Sequence, residues 1–158
     1  MLLAGSVFGW PLAARARQPE GMRRIGVLMA YSESDREGQS QFAAFVQELQ
    51  KLGWADQRNL RLDSRWATPT DASAMQRSAK ELVALQPDVI LSSTTPTTTA
   101  LLQQTRTIPI VFATVGDPVG SGFVTSFRRP GSNATGFTTV DALWAASILS
   151  CSSKSRRR

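Results

Sequence analysis

Three stretches decide the fold. They are Leu82-Val-Ala-Leu-Gln-Pro-Asp-Val-Ile-Leu-Ser-Ser-Thr-Thr-Pro96, Ile108-Pro-Ile-Val-Phe-Ala-Thr-Val-Gly-Asp-Pro-Val-Gly-Ser-Gly122 and Pro130-Gly-Ser-Asn-Ala-Thr-Gly136. In the first two, a short apolar run enters a polar loop, and each loop has the composition of a helix start. Strands of this kind, buried on both faces, belong to parallel sheets. Ligands collect at the carboxyl ends of such strands, where helix N-termini offer backbone N–H groups. The pattern predicts an α/β lobe that binds a small molecule.

The same alternation extends upstream. Arg24-Ile-Gly-Val-Leu-Met-Ala30 reads as a buried first strand, and Tyr31 to Gly38 as a polar loop. Phe42, Phe45, Val46, Leu49 and Leu52 then recur at helical spacing, and Gly53 sits where a C-terminal cap belongs. Leu60, Leu62, Ser64 and Trp66 alternate with charged residues, as in an edge strand with one wetter side. Thr70 or Asp71 can cap a second helix, which Pro87 ends.

Asp88–Ser93 reads as the third strand, and Pro96 opens a short helix that closes near Gln104. Pro109–Thr114 reads as the fourth strand, Val119–Phe127 as a short helix and Ala134–Thr138 as a fifth strand. Strand–helix alternation at this spacing predicts parallel β-α-β units with right-handed crossovers.

Composition narrows the function. The chain has 158 residues, enough for one domain with its own core. The formal charge of +6 points toward nucleic acid, but four of the positive charges lie in the last five residues. Residues 17–149 hold 13 basic and 12 acidic side chains, so no basic stripe exists and no nucleic-acid partner is expected. There is no histidine, which excludes histidine acid–base work and histidine-ligated metal within the chain. Cys151 is the one cysteine, so no intrachain disulfide can form.

No cofactor is expected, because phosphate-loop, dinucleotide-binding and nucleophile-elbow motifs are all absent. Residues 1–16 are apolar and end in Ala14-Arg15-Ala16, the small–x–small form of an export-signal cleavage site. They lack a basic n-region, as a signal peptide that has lost its start would.

Candidate site residues lie where strands enter loops. Ser93, Thr94, Thr95 and Pro96 follow the third strand, where hydroxyls and a helix N-terminus suit a ligand carboxylate. Ordinary capping by Thr94 or Thr95 is the alternative reading. Asp117 follows the fourth strand and can accept an ammonium group, or act as the N-cap ahead of Pro118. Tyr31 and Ser32 end the first strand, expected at the sheet's central position, and Tyr31 can stack on a flat ligand. Thr135 is a further candidate, at the border of a hinge. Trp54 and Trp66 read as packing residues.

Several segments together resemble the tryptophan/tyrosine-type substrate-binding proteins of bacterial ABC transporters, an uncharacterized periplasmic component family. They are Met22–Met29, Phe45–Trp54, Asn59–Asp63, Glu81–Leu91, Thr107–Phe112, Asp117–Val124 and Arg129–Phe137. Trp10-Pro-Leu-Ala-Ala-Arg-Ala16 is similar to the end of that group's signal peptide.

The resemblance implies a type I periplasmic binding protein, two α/β lobes closing on a solute. This chain matches the first lobe only, at residues 22–140, expected as a three-layer sandwich with a parallel sheet in the order 2-1-3-4-5. It implies a non-enzymatic, periplasmic protein that hands an amino acid or small organic molecule to an ABC permease. A lone lobe would self-associate through its exposed inter-lobe face.

From residue 141 the chain diverges. Ser150–Arg158 has no apolar periodicity and resembles coding DNA read in a shifted frame, so a frameshift near residues 142–149 is expected. Two other readings share the fold. One is a small flavodoxin-like enzyme using Asp117, and the other is the effector-sensing lobe of a regulator.

Overall fold

The computed structural model describes residues 21–138. The leader-like segment 1–16 and the divergent tail 141–158 lie outside the described residues.

Five parallel strands form one sheet. They are β1 (Arg23–Met29), β2 (Leu60–Trp66), β3 (Val89–Ser92), β4 (Ile110–Phe112) and β5 (Ala134–Gly136), in the order β2-β1-β3-β4-β5. This is the expected order, with β2 at an edge. The middle strand is β3, not β1, so Tyr31 and Ser32 leave the sheet one strand away from its centre. The last three strands are shorter than the sequence reading, because their flanking residues already bend into loops.

Helices α1 (Arg36–Lys51), α2 (Ala72–Ala84) and α3 (Thr95–Gln104) connect the strands. Their ends follow local chemistry. Asp35 caps α1 by accepting from the Glu37 and Gly38 amides at 2.9 and 3.0 Å. The helix thus begins two residues before Gly38, where a loop was expected. It ends as anticipated at Gly53, whose φ of 87° lets the Gly53 and Trp54 amides reach back to Gln50 and Leu49. Asp71, rather than Thr70, caps α2 by accepting from the Ala74 amide at 2.8 Å.

The expected helix over Val119–Phe127 is not formed. Asp117 starts a single turn, and Gly122, with φ 71°, stops it. The amides of Phe123 and Val124 both turn back to the Pro118 carbonyl, at 2.9 and 3.3 Å. This wide turn drives Phe123 and Val124 into the core, whereas a continued helix would spread them along its surface.

The two faces of the sheet are unequally covered. On one, α2 and α3 pack over Leu28, Ile90, Ile110 and Phe112, all fully buried, together with Leu82 and Leu101. Full burial of each such side chain contributes about 1.5–3 kcal/mol. On the other face α1 covers β1 and β2, where Phe42 meets Trp66 edge to face at 5.7 Å. Val27 and Met29 are buried there, but Leu91 and Val111 are only half-buried. An open apolar pocket of about 300 Å³, lined by Ile25, Leu49, Trp54, Leu60 and Val89, lies under α1 at the amino ends of the strands.

Candidate functional site

The carboxyl ends of β1, β3 and β4 lie side by side, and backbone bonds carry the alignment past the strands. The Ser93 amide donates to the Leu28 carbonyl at 3.2 Å, and the Ser93 hydroxyl accepts from the Ala30 amide at 2.9 Å. On the other side, the Ala113 amide donates to the Ser92 carbonyl at 3.0 Å, and the Phe137 amide to the Phe112 carbonyl at 2.9 Å. The loops that leave the sheet here therefore start from one fixed platform. The loops that carry Tyr31, Ser32, Thr94, Thr95, Pro96 and Asp117 leave from it.

Tyr31 is half-buried, and its hydroxyl accepts from Gln41 Nε2 at 3.1 Å. Ser32 is exposed, its hydroxyl 3.3 Å from that of Ser34. Thr94 is the N-cap residue of α3, and Thr95 and Pro96 begin the helix. The capping and ligand readings of this segment thus share one geometry: a helix N-terminus with two threonine side chains, at the end of the middle strand. Ser93 faces inward, is buried, and spends its oxygen on the Ala30 amide.

Asp117 is exposed, and its Oδ1 accepts from the Gly120 amide at 2.7 Å. The cap reading of this residue is formed here as a one-turn cap. Its second oxygen remains available to an incoming donor. Thr135 is exposed on edge strand β5 opposite Val111, on the sheet's flank rather than among the loops.

The sequence reading missed a layer of hydroxyls beneath the site. Ser92, Thr97 and Thr98 are each fully buried, with Ser92 Oγ 2.7 Å from both threonine oxygens. The sequence shows a Ser/Thr run at 92–99, but not which of its members turn inward. Two exposed apolar side chains also belong to loops at this end: Val119 and Phe137, the latter 75% exposed.

Among the described residues no group of three His, Cys, Asp or Glu side chains is placed to hold a metal. No helix there is long and apolar enough to cross a membrane. The carboxylates whose acidity shifts lie elsewhere. Asp63 on β2 is held below the usual carboxylate range chiefly by its hydrogen bond from Arg24, and Asp88 by the Arg24 backbone amide. Asp71 is lowered by the Ala74 amide that it caps.

The chain is similar to the tyrosine-binding protein of Clostridioides difficile (strain R20291), at 34% identity over 92 residues. That match covers 58% of this chain and 26% of the relative. Among solved structures it resembles a ligand-free, open substrate-binding protein with adhesive properties from Clostridium difficile, at 29% identity and a TM-score of 0.65. A Streptococcus pneumoniae domain in complex with L-Trp matches at 27% identity and a TM-score of 0.64.

These two matches cover 72% and 73% of this chain, and 38% of each relative. The chain thus spans well under half the length of the proteins it matches. Both neighbours contain an α/β lobe of this fold. Residues 30–147, most of the sequence, match the family model described as ABC transporter substrate binding protein, and the chain belongs to that family.

Proposed function

We propose that this lobe binds a free amino acid, or a small organic molecule of similar polarity, for delivery to an ABC permease. The carrying observation is the alignment of the β1, β3 and β4 exits into one platform that ends in the N-terminus of α3. A ligand carboxylate fits at Thr94, Thr95 and Pro96, where amides and the helix dipole favour an anion. An ammonium group fits at the second oxygen of Asp117. Tyr31 and Ser32 form the adjoining wall, Ser93 supports it from beneath, and Thr135 stands on the flank. The tyrosine-binding relative and the L-Trp complex make an aromatic amino acid the first ligand to test.

The described residues form one wall, so a ligand seated there keeps an open side, whereas tight sites bury most of the ligand. Millimolar affinity is therefore expected. Titration of the ¹⁵N-labelled chain with L-tyrosine and L-tryptophan tests the reading. Amide shifts confined to Tyr31, Ser32, Thr94, Thr95 and Asp117 support it. Saturating titrations that leave these amides unmoved, or move only those around Ile25 and Trp54, sink it.

Val119 and Phe137, exposed at the same end, favour an apolar partner over the site. We infer that the partner is a second lobe or a second copy of this one. Dilution from millimolar to micromolar in sedimentation velocity reads the latter directly. Export to the periplasm is part of the same proposal, resting on the Ala14-Arg15-Ala16 signature and on the family.

A further inference from the structure

Beneath the β3–α3 turn, three fully buried hydroxyls are arranged around the backbone amide and carbonyl of one residue, Thr94. Thr97 Oγ1 accepts from the Thr94 amide at 2.9 Å and donates to the Thr94 carbonyl at 2.8 Å. Ser92 Oγ stands 2.7 Å from Thr97 Oγ1 and 2.7 Å from Thr98 Oγ1. The Thr98 hydroxyl donates to the Thr94 carbonyl at 2.8 Å, which also receives the Thr98 amide at 3.0 Å. Three hydroxyl protons serve these four short contacts: with both threonines donating to the carbonyl, Ser92 has one proton to donate and gives it to one threonine at a time.

Three buried hydroxyls are a costly way to fill a core, since each must be hydrogen-bonded to offset its lost hydration. Met75, Ala79 and Leu82 fill the equivalent space under α2. The hydroxyls here do something that apolar residues cannot, which is to hold both polar groups of Thr94 from below. Thr97 alone grips the amide, so it alone fixes the orientation of the peptide entering α3.

We propose that Thr97, seated on Ser92, is a positioning residue of the solute site. It locks the peptides on both sides of Thr94 so that the Thr94 and Thr95 side chains and the first turn of α3 meet the ligand's anionic end in one pre-set geometry. This rests on the solute-binding reading above. A preorganised site spends less of its binding free energy on ordering a loop.

The test is the same NMR titration, with L-tyrosine, on four full-length chains. Wild type comes first; if its site amides do not move, the solute reading fails and this inference with it. Given binding by wild type, Thr97→Val is expected to weaken affinity at least tenfold, while Thr97→Ser, which restores the hydroxyl, stays within about twofold.

Thr98→Val removes a buried hydroxyl from the same cluster but leaves the Thr94 amide held, and is expected to stay within about threefold. Equal affinities for Thr97→Val and wild type overturn the inference while leaving the solute reading standing, as does an equal loss in both valine variants. Should Thr97→Val not fold, amide exchange in the wild-type chain decides: a Thr94 amide that exchanges as fast as an exposed one overturns the inference, and protection supports it.

Discussion

The ring of Tyr31 lies across Gly38, so closely that a Cβ at position 38 would stand 2.7 Å from Tyr31 Cβ and Cγ. This explains a glycine in the first turn of a helix, where it costs about 1 kcal/mol relative to alanine. The missing side chain makes room for the ring, and Gln41, one turn further along α1, donates to its hydroxyl. Tyr31 therefore rests one face on α1 and can offer a ligand only the other.

Gly38→Ala is expected to leave α1 formed and to push the Tyr31 ring off the helix, breaking the bond from Gln41. The chain has one tyrosine, so its ring resonances are read without ambiguity. They should shift clearly, with affinity for L-tyrosine falling several-fold. Unchanged ring resonances would show that the helix yields instead of the ring.

Asp117 holds two readings at once, and two substitutions separate them. Asp117→Asn keeps an oxygen to accept from the Gly120 amide but loses the charge. It should keep stability within about 0.5 kcal/mol while weakening an ammonium-bearing ligand about tenfold or more. Asp117→Ala removes the cap as well and should cost about 1 kcal/mol of stability besides. If Asn binds as tightly as Asp, the residue is a cap only. Urea unfolding and the NMR titration together give both numbers.

Much of this was readable in the sequence, for physical reasons that differ by element. β1, β3 and β4 announced themselves because strands buried on both faces must be apolar throughout, and α2 because Asp71 and Pro87 bracket a clear apolar stripe. The turn at 118–124 was misread because Val119, Phe123, Val124 and Phe127 fall at helical spacing. What broke that pattern was Gly122 at positive φ, and a propensity argument weighs one glycine lightly. In the site, the loops were legible but the orientation within them was not. Ser92, Ser93, Thr94, Thr95, Thr97 and Thr98 are near-equivalent as letters. Only the pleat of β3 and the phase of α3 decide that Thr94 and Thr95 stay half-buried at the opening while Ser92, Ser93, Thr97 and Thr98 are sealed below.

Gly136 closes the sheet at its far edge. A Cβ there would overlap the carbonyl oxygen of Phe112, to which the next amide, that of Phe137, is bonded. The clash is with backbone, which cannot rotate aside as a side chain can. Gly136→Ala should therefore detach the end of β5 and cost about 2–4 kcal/mol, in the range of strained or overpacked core positions. Gly53→Ala is a useful contrast, since that site has open space and strain from its positive φ alone. Its cost should be about 1 kcal/mol. Equal losses for the two would contradict the close packing of β5 on β4.

The acid limb of the stability curve follows from the Arg24 end of the sheet. Arg24 Nε donates to Asp63 Oδ2 at 2.6 Å and its Nη1 to the Leu85 carbonyl at 2.8 Å, while the Arg24 amide donates to Asp88 Oδ2 at 2.8 Å. One residue thereby ties β2, the end of α2 and the start of β3 to β1. The Arg24 hydrogen bond is the main cause of the lowered pKa of Asp63, with burial opposing it and the charges of Arg24, Arg61 and Arg65 adding to it. Asp88 is lowered mainly by the Arg24 amide.

A carboxylate with a folded-state value below its unfolded 3.8 stays ionised in the folded chain after the unfolded chain has taken up its proton. Its contribution is thus complete above the unfolded value and is lost as pH falls through the folded one. Stability should be flat from about pH 7 to pH 5 and drop steeply below pH 4. Asp63→Asn should lower stability at pH 7 by about 1–2 kcal/mol and flatten the limb between pH 4 and pH 2. Thermal unfolding of both chains across that range checks the sign. An Asp63→Asn chain that matches wild type at pH 7 and keeps its full acid slope would show that the Arg24–Asp63 bond carries no stability.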